Sequence, residues 1–424
     1  MKKIIFRMCM CIAMVMVLFL GSSPVFAQTS SKEKADLTIK TEKQLRNFLN
    51  DIAKGNSYSG KLIQLSADIE VDSYSSDTWY LLSVGDDKNI FAGTFDGAGH
   101  TISGIYANMA TDSDMQSAGF FGMIAKNGTV KNLTLSNCSF ISKKNSFGML
   151  AGENRGEIIN CQVKDCKNVS NEWGSGIVVS NYGTIQDCTA EVAIEFNTYN
   201  ASGIANFNYG KIINTSFGGT FKDYPATGNY YTELRAVDIA AYNNGIIQNC
   251  FGYGQASLTN AKSAHYTLCS YIDEYKACLR NCYYSEESGD GGYETFGGTI
   301  DHVEGCTLEE MRSEAFVEKL NRTKGDSLAW SLDGEEEYPV HVNLYEVTFK
   351  SFDTKKGYVK SSKSYASEGD TVKLTAYMKK PYKVKKLTVK TISGKTVAFK
   401  KGKNGIYTFK MPNENVYVTI TAKK

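Results

Sequence analysis

The middle of the chain repeats one short pattern of polar turn residues and apolar residues. In most copies Asn-x-Gly is followed by Val or Ile, then by Asn or Asp, and then by a small or apolar residue. Successive glycines are spaced by 28, 27, 27 and 35 residues. The aligned glycines are Gly128, Gly156, Gly183, Gly210 and Gly245. Because no helical period occurs inside the repeat, short strands and turns are predicted.

Each position of the repeat has a physical reason. Asn-x-Gly suits a turn because both residues tolerate positive φ, and the Val or Ile suits a strand. The following Asn or Asp is expected to adopt a left-handed bend, after which the next residue also points inward. These last two positions form a predicted structural ladder of Asn132, Asn160, Asp187, Asn214, Asn249, Asn281, Cys161, Cys188, Cys250 and Cys282.

One repeat of this kind cannot bury its own apolar face, whereas stacked repeats share a continuous core. A repeat near 27 residues therefore predicts an all-β protein built around a right-handed parallel β-helix of about seven coils. Propeller blades are longer, and leucine-rich repeats need a leucine spacing that is absent here.

Two helices are predicted to cap the rod. Thr41 and Gln44 form a capping box before an apolar helical face, and Thr307 and Glu310 form another. The layout resembles the bacterial GLUG-repeat proteins from about residue 37 to residue 343. The resemblance rests on the entry helix, the segment GTFDGAGHTISG, the repeated NxGxIxNC units and the closing EEMRSEAF…W…YPV stretch. It implies a secreted or surface β-helix, often beside adhesive or protease modules, and implies no ligand.

The last segment, residues 344–424, alternates apolar and polar residues, as in Val416-Tyr417-Val418-Thr419-Ile420. The alternation predicts a β-sandwich or a small β-grasp-like domain. The stretches GDTVKLTA and YTFKMPNENV resemble bacterial repeat modules of the internalin B-repeat type. That resemblance implies a spacer or a binding unit at a cell surface.

Residues 1–27 are predicted to be a signal peptide, because a basic start precedes a short apolar run and small residues. The apolar run is short for a membrane anchor. We therefore expect a secreted chain with no membrane span in its mature form, released or held at a surface without a covalent bond. The predicted domains are residues 1–27, 28–343 and 344–424.

Charge divides unevenly along the chain. Residues 346–424 contain nineteen lysines, no arginine and five acids, a net charge of +14, whereas residues 28–345 carry −15. The two parts could attract each other, or the basic module could bind an anionic polymer. The small number of arginines argues against nucleic acid as a partner.

Nine cysteines remain after the signal segment. Most of them are expected to be free thiols in a dry core, because aligned Cβ atoms about 4.8 Å apart are slightly too far for a disulfide. Cys269, Cys278 and Cys306 lie outside the aligned columns and could pair. A zinc site is not expected, since no CxxC occurs and no histidine has ligand spacing.

No catalytic constellation is found, and no cofactor is expected. An insertion in the 35-residue repeat contains Tyr224, Tyr230 and Tyr231, which could contact a ligand or support the irregular coil. The preferred hypothesis is a non-catalytic secreted or cell-surface binding or adhesion protein. Its expected partner is a cell-wall polymer, a glycan, or a host or bacterial surface protein. The alternatives are a carbohydrate-active β-helix enzyme and a purely structural surface spacer.

Overall fold

The structure is a computed structural model. It describes residues 34–72, 79, 81–84, 88–109, 117–142, 146–171, 173–197, 199–224, 233–259, 262–272, 276–289, 292–295, 297–325, 327–332, 337–342, 345–350, 352–363 and 365–424. The predicted signal peptide, residues 1–27, lies outside the described residues.

Up to residue 306, the described chain winds into stacked three-sided coils, which confirms the all-β class and the parallel β-helix. Each coil contributes strands to three sheets, and equivalent residues of successive coils pair in register. Ile158 pairs with Ile185, and Ile185 pairs with Ile212, all in parallel strands. These side chains are fully buried, so the inward Val and Ile of each repeat form one continuous apolar column.

Sheet 1 has 21 strands among the described residues. They are Leu37–Ile39, Leu62–Leu65, Ile69–Glu70, Thr94–Asp96, Thr101–Ser103, Tyr106–Asn108, Thr129–Lys131, Thr134–Ser136, Ser139–Ser142, Glu157–Ile159, Gln162–Ser170, Thr184–Gln186, Thr189–Phe196, Lys211–Ile213, Ser216–Phe217, Thr220–Asp223, Ile246–Gln248, Phe251–Gly252, Gln255–Ser257, Cys278–Ser285 and Thr299–Cys306.

Sheets 2 and 3 complete the coils with eight and seven described strands. Sheet 2 contains Ile90–Phe91, Phe121–Ile124, Ala151–Asn154, Val178–Asn181, Ala205–Asn208, Ala240–Asn243, Cys269–Ile272 and Tyr293–Thr295. Sheet 3 contains Leu82–Ser83, Ser117–Gly119, Ser146–Gly148, Gly174–Ser175, Asn200–Ser202, Arg235–Val237 and Ala264–Tyr266.

A ladder of buried asparagines runs inside the corner between sheets 2 and 1. Each side-chain amide donates to the Oδ1 atom of the next coil, over 2.9, 2.8 and 2.7 Å. The members are Asn154, Asn181, Asn208 and Asn243, the first residues of the Asn-x-Gly units. Ile124 and Ile272 occupy the same register position on either side of the ladder. Each asparagine therefore requires an asparagine at the same position of the neighbouring coil, because a buried amide needs a hydrogen-bond partner.

The prediction that Asn-x-Gly has positive φ is wrong for these units. Neither the asparagines nor glycines such as Gly183 and Gly210 have positive φ. Glycine is needed because the coils approach closely. A Cβ atom on Gly183 would lie 2.1 Å from the carbonyl oxygen of Gly156, and one on Gly210 would lie 2.1 Å from that of Gly183.

The predicted left-handed positions lie four residues after these glycines. Asn132, Asn160, Asp187, Asn214, Asn249 and Asn281 have φ between 49° and 55°. These six residues form an outer ladder. Several of its side chains are hydrogen-bonded to one another, as in the bond from Asn160 Nδ2 to Asn132 Oδ1 at 2.8 Å. Asp187 interrupts the ladder because a carboxylate cannot donate a hydrogen bond to Asn160.

The cysteine column lies inside the rod. Cys161, Cys188, Cys250 and Cys282 are fully buried, and their thiols donate to main-chain carbonyls such as those of Ile159 and Gln186. All nine cysteines of the described chain are free, including Cys269, Cys278 and Cys306. Burial raises the pKa of Cys269 and of Cys282 to about 12, so these thiols stay protonated.

Helix α1, Glu42–Ala53, covers the interior of the first coils. Its Phe48 ring packs against Phe91, Phe95 and Phe121 at centroid distances of 5.5 to 6.3 Å. Helices α2, Leu308–Met311, and α3, Glu314–Thr323, lie instead against outward side chains of sheet 1. The ring centroids of Phe316 and Phe251 lie 5.3 Å apart. This second pair of helices therefore covers the side of the rod.

The strands Ala329–Ser331 and Val340–Val342 form an antiparallel pair, here called the closing strand pair, on the same side of the rod. It is held by the interrupted outer ladder. The Leu328 N–H donates to Asp187 Oδ1 at 3.1 Å, and the Trp330 indole donates to Asn214 Oδ1 at 2.6 Å. The same two oxygens also accept ladder bonds from Asn214 and Asn249, so the returning chain binds to acceptor atoms that the ladder already uses.

The last module is a β-sandwich, the first of the two predicted alternatives. One sheet contains Tyr345–Phe349, Tyr365–Ala366, Lys383–Thr391, Thr396–Val397 and Val416–Lys423. The other contains Gly357–Ser361, Thr371–Met378, Phe399–Lys401 and Ile406–Lys410. Their inward residues form a core that includes Val372, Leu374, Val389, Phe409 and Val418.

We predict that Gly183→Ala destabilises the rod by about 1–3 kcal/mol, because its methyl group would overlap the main chain of the preceding coil. Urea unfolding would measure the loss. Gly402→Ala is the control, since the nearest atom to its Cβ would be 3.6 Å away and its φ is not positive. Equal stability of the two variants would contradict the close-approach argument.

His341 gives the closing strand pair a pH dependence. Its ring lies 3.7 Å from that of Trp330, its Nε2 atom donates to the Asn214 carbonyl at 2.8 Å, and burial lowers its pKa to about 3. A histidine of the unfolded chain has a pKa near 6.5. The unfolded state therefore binds the proton first, and the stability contribution present above pH 6.5 is lost as the pH falls toward 3.

We expect His341→Gln to remove this part of the pH dependence while keeping a donor for the carbonyl. The measurement is the free energy of unfolding at about pH 7.5 and about pH 5, chosen to bracket the ordinary histidine pKa. His302→Gln, at an exposed histidine, controls for the loss of one imidazole. An unchanged difference between the two pH values in His341→Gln would contradict the assignment.

Candidate functional site

The cysteines of the predicted ladder face the core, and several of its asparagines hydrogen-bond to a neighbouring member; a structural role for the ladder stays a prediction. Of the predicted ligand contacts, Tyr224 is half-buried and donates its hydroxyl to Asn171. Burial raises the pKa of Tyr224 to about 12. Tyr230 and Tyr231 lie outside the described residues, and their proposed contact stays a prediction.

An aromatic strip runs along the outward face of sheet 2. Phe207 and Tyr242 stack at 5.3 Å with an interplanar angle of 10°, and Tyr271 follows at 5.5 Å. The Trp173 ring meets Phe207 edge-on at 4.8 Å, and this tryptophan is 37% exposed. The strip consists of Trp173, Phe207, Tyr242 and Tyr271, which occupy four different coils.

A second aromatic contact lies at the neighbouring corner. Tyr182 and Tyr209 stack at 4.9 Å with an angle of 8°, and they are 50% and 46% exposed. The guanidinium of Arg155, one coil earlier, lies 5.8 Å from the Tyr182 ring. Both tyrosines are the middle residues of Asn-x-Gly units, a position whose side chain points away from the core. The Tyr182–Tyr209 pair was not predicted, although register and alternation together place it outside.

The lysine face is the outward side of the four-stranded sheet in the last module. Its members are Tyr358, Lys360, Lys373, Tyr377, Lys400 and Lys410, all exposed. Lys373 and Lys400 both lie opposite Thr408 on neighbouring strands. Tyr358 and Tyr377 stack at 4.8 Å and are 46% and 47% exposed. A hollow of 370 Å³ on this face is lined by Lys400, Lys410 and Thr371, among others.

The positive charge of the lysine face is not neutralised within the described chain. The ion pairs of the module join other lysines, such as Lys363 with Asp370 at 2.7 Å and Lys395 with Glu414 at 3.5 Å. The Lys360 ammonium lies 6.0 Å from the Tyr358 ring, at the outer limit of a cation–π contact. Four ammonium groups beside an exposed aromatic pair are therefore available to an anionic partner.

Several acidic groups of the rod are paired with nearby bases. Lys167 pairs with Glu195 at 2.8 Å and Lys131 with Asp96 at 3.8 Å. No group of three or more His, Cys, Asp or Glu residues with metal-binding geometry occurs among the described residues.

One charged pair is buried in the rod and was not predicted. His265 Nε2 donates to Asp238 Oδ1 at 2.8 Å, its Nδ1 donates to the Ser288 carbonyl, and Asp238 Oδ2 accepts from the Gly254 N–H at 2.9 Å. Asp238 is fully buried, and this desolvation raises its pKa, partly offset by His265. The pair lies in the interior and supports the irregular coils.

We predict that Asp238→Ala destabilises the chain by about 3–5 kcal/mol, because it leaves a buried imidazole without its partner. Asp301→Ala is the matched control, since its pair with Arg280 is exposed and should contribute less than about 1 kcal/mol. Chemical unfolding of both variants tests the difference. A similarly small loss of unfolding free energy in both variants would contradict the assignment of Asp238 and His265 as a buried, stabilising pair.

The comparisons with known proteins give distant similarities. No family model matches the chain, so the resemblances to GLUG-repeat proteins and to the internalin-type module stay predictions. The chain is 31% identical over 150 residues to a Gly-rich membrane protein of Evansella cellulosilytica, which covers 34% of this chain and 16% of that protein. It is 29% identical over 141 residues to halomucin of Haloquadratum walsbyi, covering 31% of this chain and 1% of that protein.

Among solved structures, the chain is similar to a Bacteroides ovatus protein named as an immunoglobulin A1 protease. The TM-score is 0.45 at 17% identity, and the match covers 72% of this chain and 91% of that chain. None of the helices in the described part is long and apolar enough to cross a membrane. This chain spans 16% or less of the length of the two sequence relatives named above.

Proposed function

We propose that the protein is a non-catalytic secreted or cell-surface binding protein, retained on an anionic cell-wall polymer by its lysine face. The observation that carries the proposal is the outward row of unpaired lysines beside the stacked Tyr358 and Tyr377. A polymer with repeated phosphate or carboxylate groups would meet several ammonium groups at once. Multiple weak contacts of this kind add up to salt-sensitive retention.

The rod then presents the aromatic strip and the Tyr182–Tyr209 pair outward. Exposed, stacked rings offer apolar area at low entropic cost, which suits contact with a sugar ring or a protein partner. The interior of the rod is filled by apolar columns and ladders. Binding is therefore assigned to outward side chains, and variation of these side chains would leave the coil intact.

The test compares two variants of the full mature chain that lose the same charge. Lys360→Gln/Lys373→Gln/Lys410→Gln alters the lysine face, and Lys54→Gln/Lys126→Gln/Lys211→Gln alters three exposed lysines of the rod. Each protein is incubated with isolated bacterial walls at about 0.05 M and about 0.5 M salt, where the screening length differs about threefold.

We expect the lysine-face variant to lose most of its binding at low salt, and the rod variant to bind like the unaltered chain. High salt should release all three proteins. Walls stripped of phosphate polymers should bind less of the unaltered chain if phosphate supplies the charge. Equal binding by both variants, or binding that resists salt, would overturn electrostatic retention by this face.

A further inference from the structure

A groove of 620 Å³ lies between the outward face of sheet 1 and the closing strand pair. Its floor is a row of residues from three neighbouring strands, Gln162, Thr189 and Ser216, which are paired in register. Its wall is formed by Tyr338 and the residues up to Val342. The volume lies within the range of sites that enclose small ligands.

The floor of the groove has unused hydrogen-bonding capacity. The side chains of Gln162, Thr189 and Ser216 make no hydrogen bond in the described chain; Gln162 and Thr189 are half-buried, whereas Ser216, at 2% exposed, offers a ligand little surface. Because successive coils are about 4.8 Å apart, these amide and hydroxyl groups form a regular polar row. Such a row suits a ligand with hydroxyl groups repeated along its length.

An aromatic wall stands beside this polar row. Tyr338 stacks on Tyr253 at 3.8 Å with an interplanar angle of 22°. The Tyr253 hydroxyl donates to Glu191 at 3.2 Å, and the Tyr338 hydroxyl accepts from Arg312 at 2.8 Å. Both rings are thus held at their hydroxyl ends. A fixed ring beside hydrogen-bonding groups can contact the apolar face of a sugar while its hydroxyls are bound.

Charges around the groove occur as opposite pairs. Lys164 and Glu191 lie opposite each other in register, and Glu337 pairs with Arg312 at 3.0 Å. Among the described residues, the groove therefore carries no excess of either sign, unlike the lysine face. A strongly anionic or cationic ligand would find no net attraction here.

We infer that this groove binds a neutral oligosaccharide, lying across the Gln162–Thr189–Ser216 row and against Tyr338. The ligand class follows from the polar row, the aromatic wall and the balanced charges. This site is independent of the lysine face, so it does not rest on electrostatic retention at the wall.

The experiment uses the full mature chain and soluble neutral probes: chitotriose, cellotriose, mannotriose and galactotriose. Binding is measured by saturation-transfer NMR and by calorimetry. The test variant is Gln162→Leu/Thr189→Val, which removes groups that make no bond within the described chain and should leave the melting temperature unchanged. The control is Thr184→Val, on the same outward face but outside the groove.

We expect at least one probe to bind saturably, the double variant to bind it at least tenfold more weakly, and Thr184→Val to bind as the unaltered chain does. A tenfold loss is about 1.4 kcal/mol, which is less than the loss of two hydrogen bonds of about 1 kcal/mol each. The inference is overturned if none of the four sugars binds, or if the double variant binds as tightly as the unaltered chain.

Two crossed measurements separate this inference from the proposed retention. The variant of Lys360, Lys373 and Lys410 should keep its sugar affinity, and Gln162→Leu/Thr189→Val should keep its salt-sensitive binding to walls. Loss of sugar binding in the lysine variant would place the sugar on the lysine face, which would overturn the groove assignment.

Discussion

The distance of about 4.8 Å between stacked coils is the constraint on which the rod depends. A residue in the interior must fit against the residue at the same position one coil away. Ile158, Ile185 and Ile212 satisfy this condition as an apolar column, and Asn154, Asn181 and Asn208 satisfy it by exchanging side-chain hydrogen bonds. Glycine is required where main chains meet too closely for a Cβ atom.

The same constraint explains where the regular rod accepts another part of the chain. A ladder of amides continues only while each member can both donate and accept. Asp187 cannot donate to Asn160, but its Oδ1 atom accepts from both the Asn214 side chain and the Leu328 N–H. Asn214 Oδ1 accepts from both Asn249 and the Trp330 indole. The spare acceptor capacity of Asp187 and Asn214 thereby becomes the attachment point of the closing strand pair, and that strand pair forms one wall of the groove beside sheet 1.

Because inward positions are filled, recognition is left to the outward ones. These differ between coils, since an outward side chain need not match its neighbour to keep the stack intact. The aromatic strip on sheet 2, the polar row in the groove and the lysine face thus offer three chemically different surfaces. Their differences in charge predict different partners, an anionic polymer for the lysine face and a neutral sugar for the groove.

The sequence alone determined the coil, because period, strand-forming residues and the left-handed Asn column are local properties that stacking repeats. It also determined the alternation of the last module and its excess of lysine. Only the tertiary structure decided why Asn154 and Gly183 occupy their positions, since their partners lie 27 residues away in a neighbouring coil. The groove likewise joins Thr189 to Tyr338, residues far apart in the chain. No local pattern records such a contact, because it depends on where the returning strands bind.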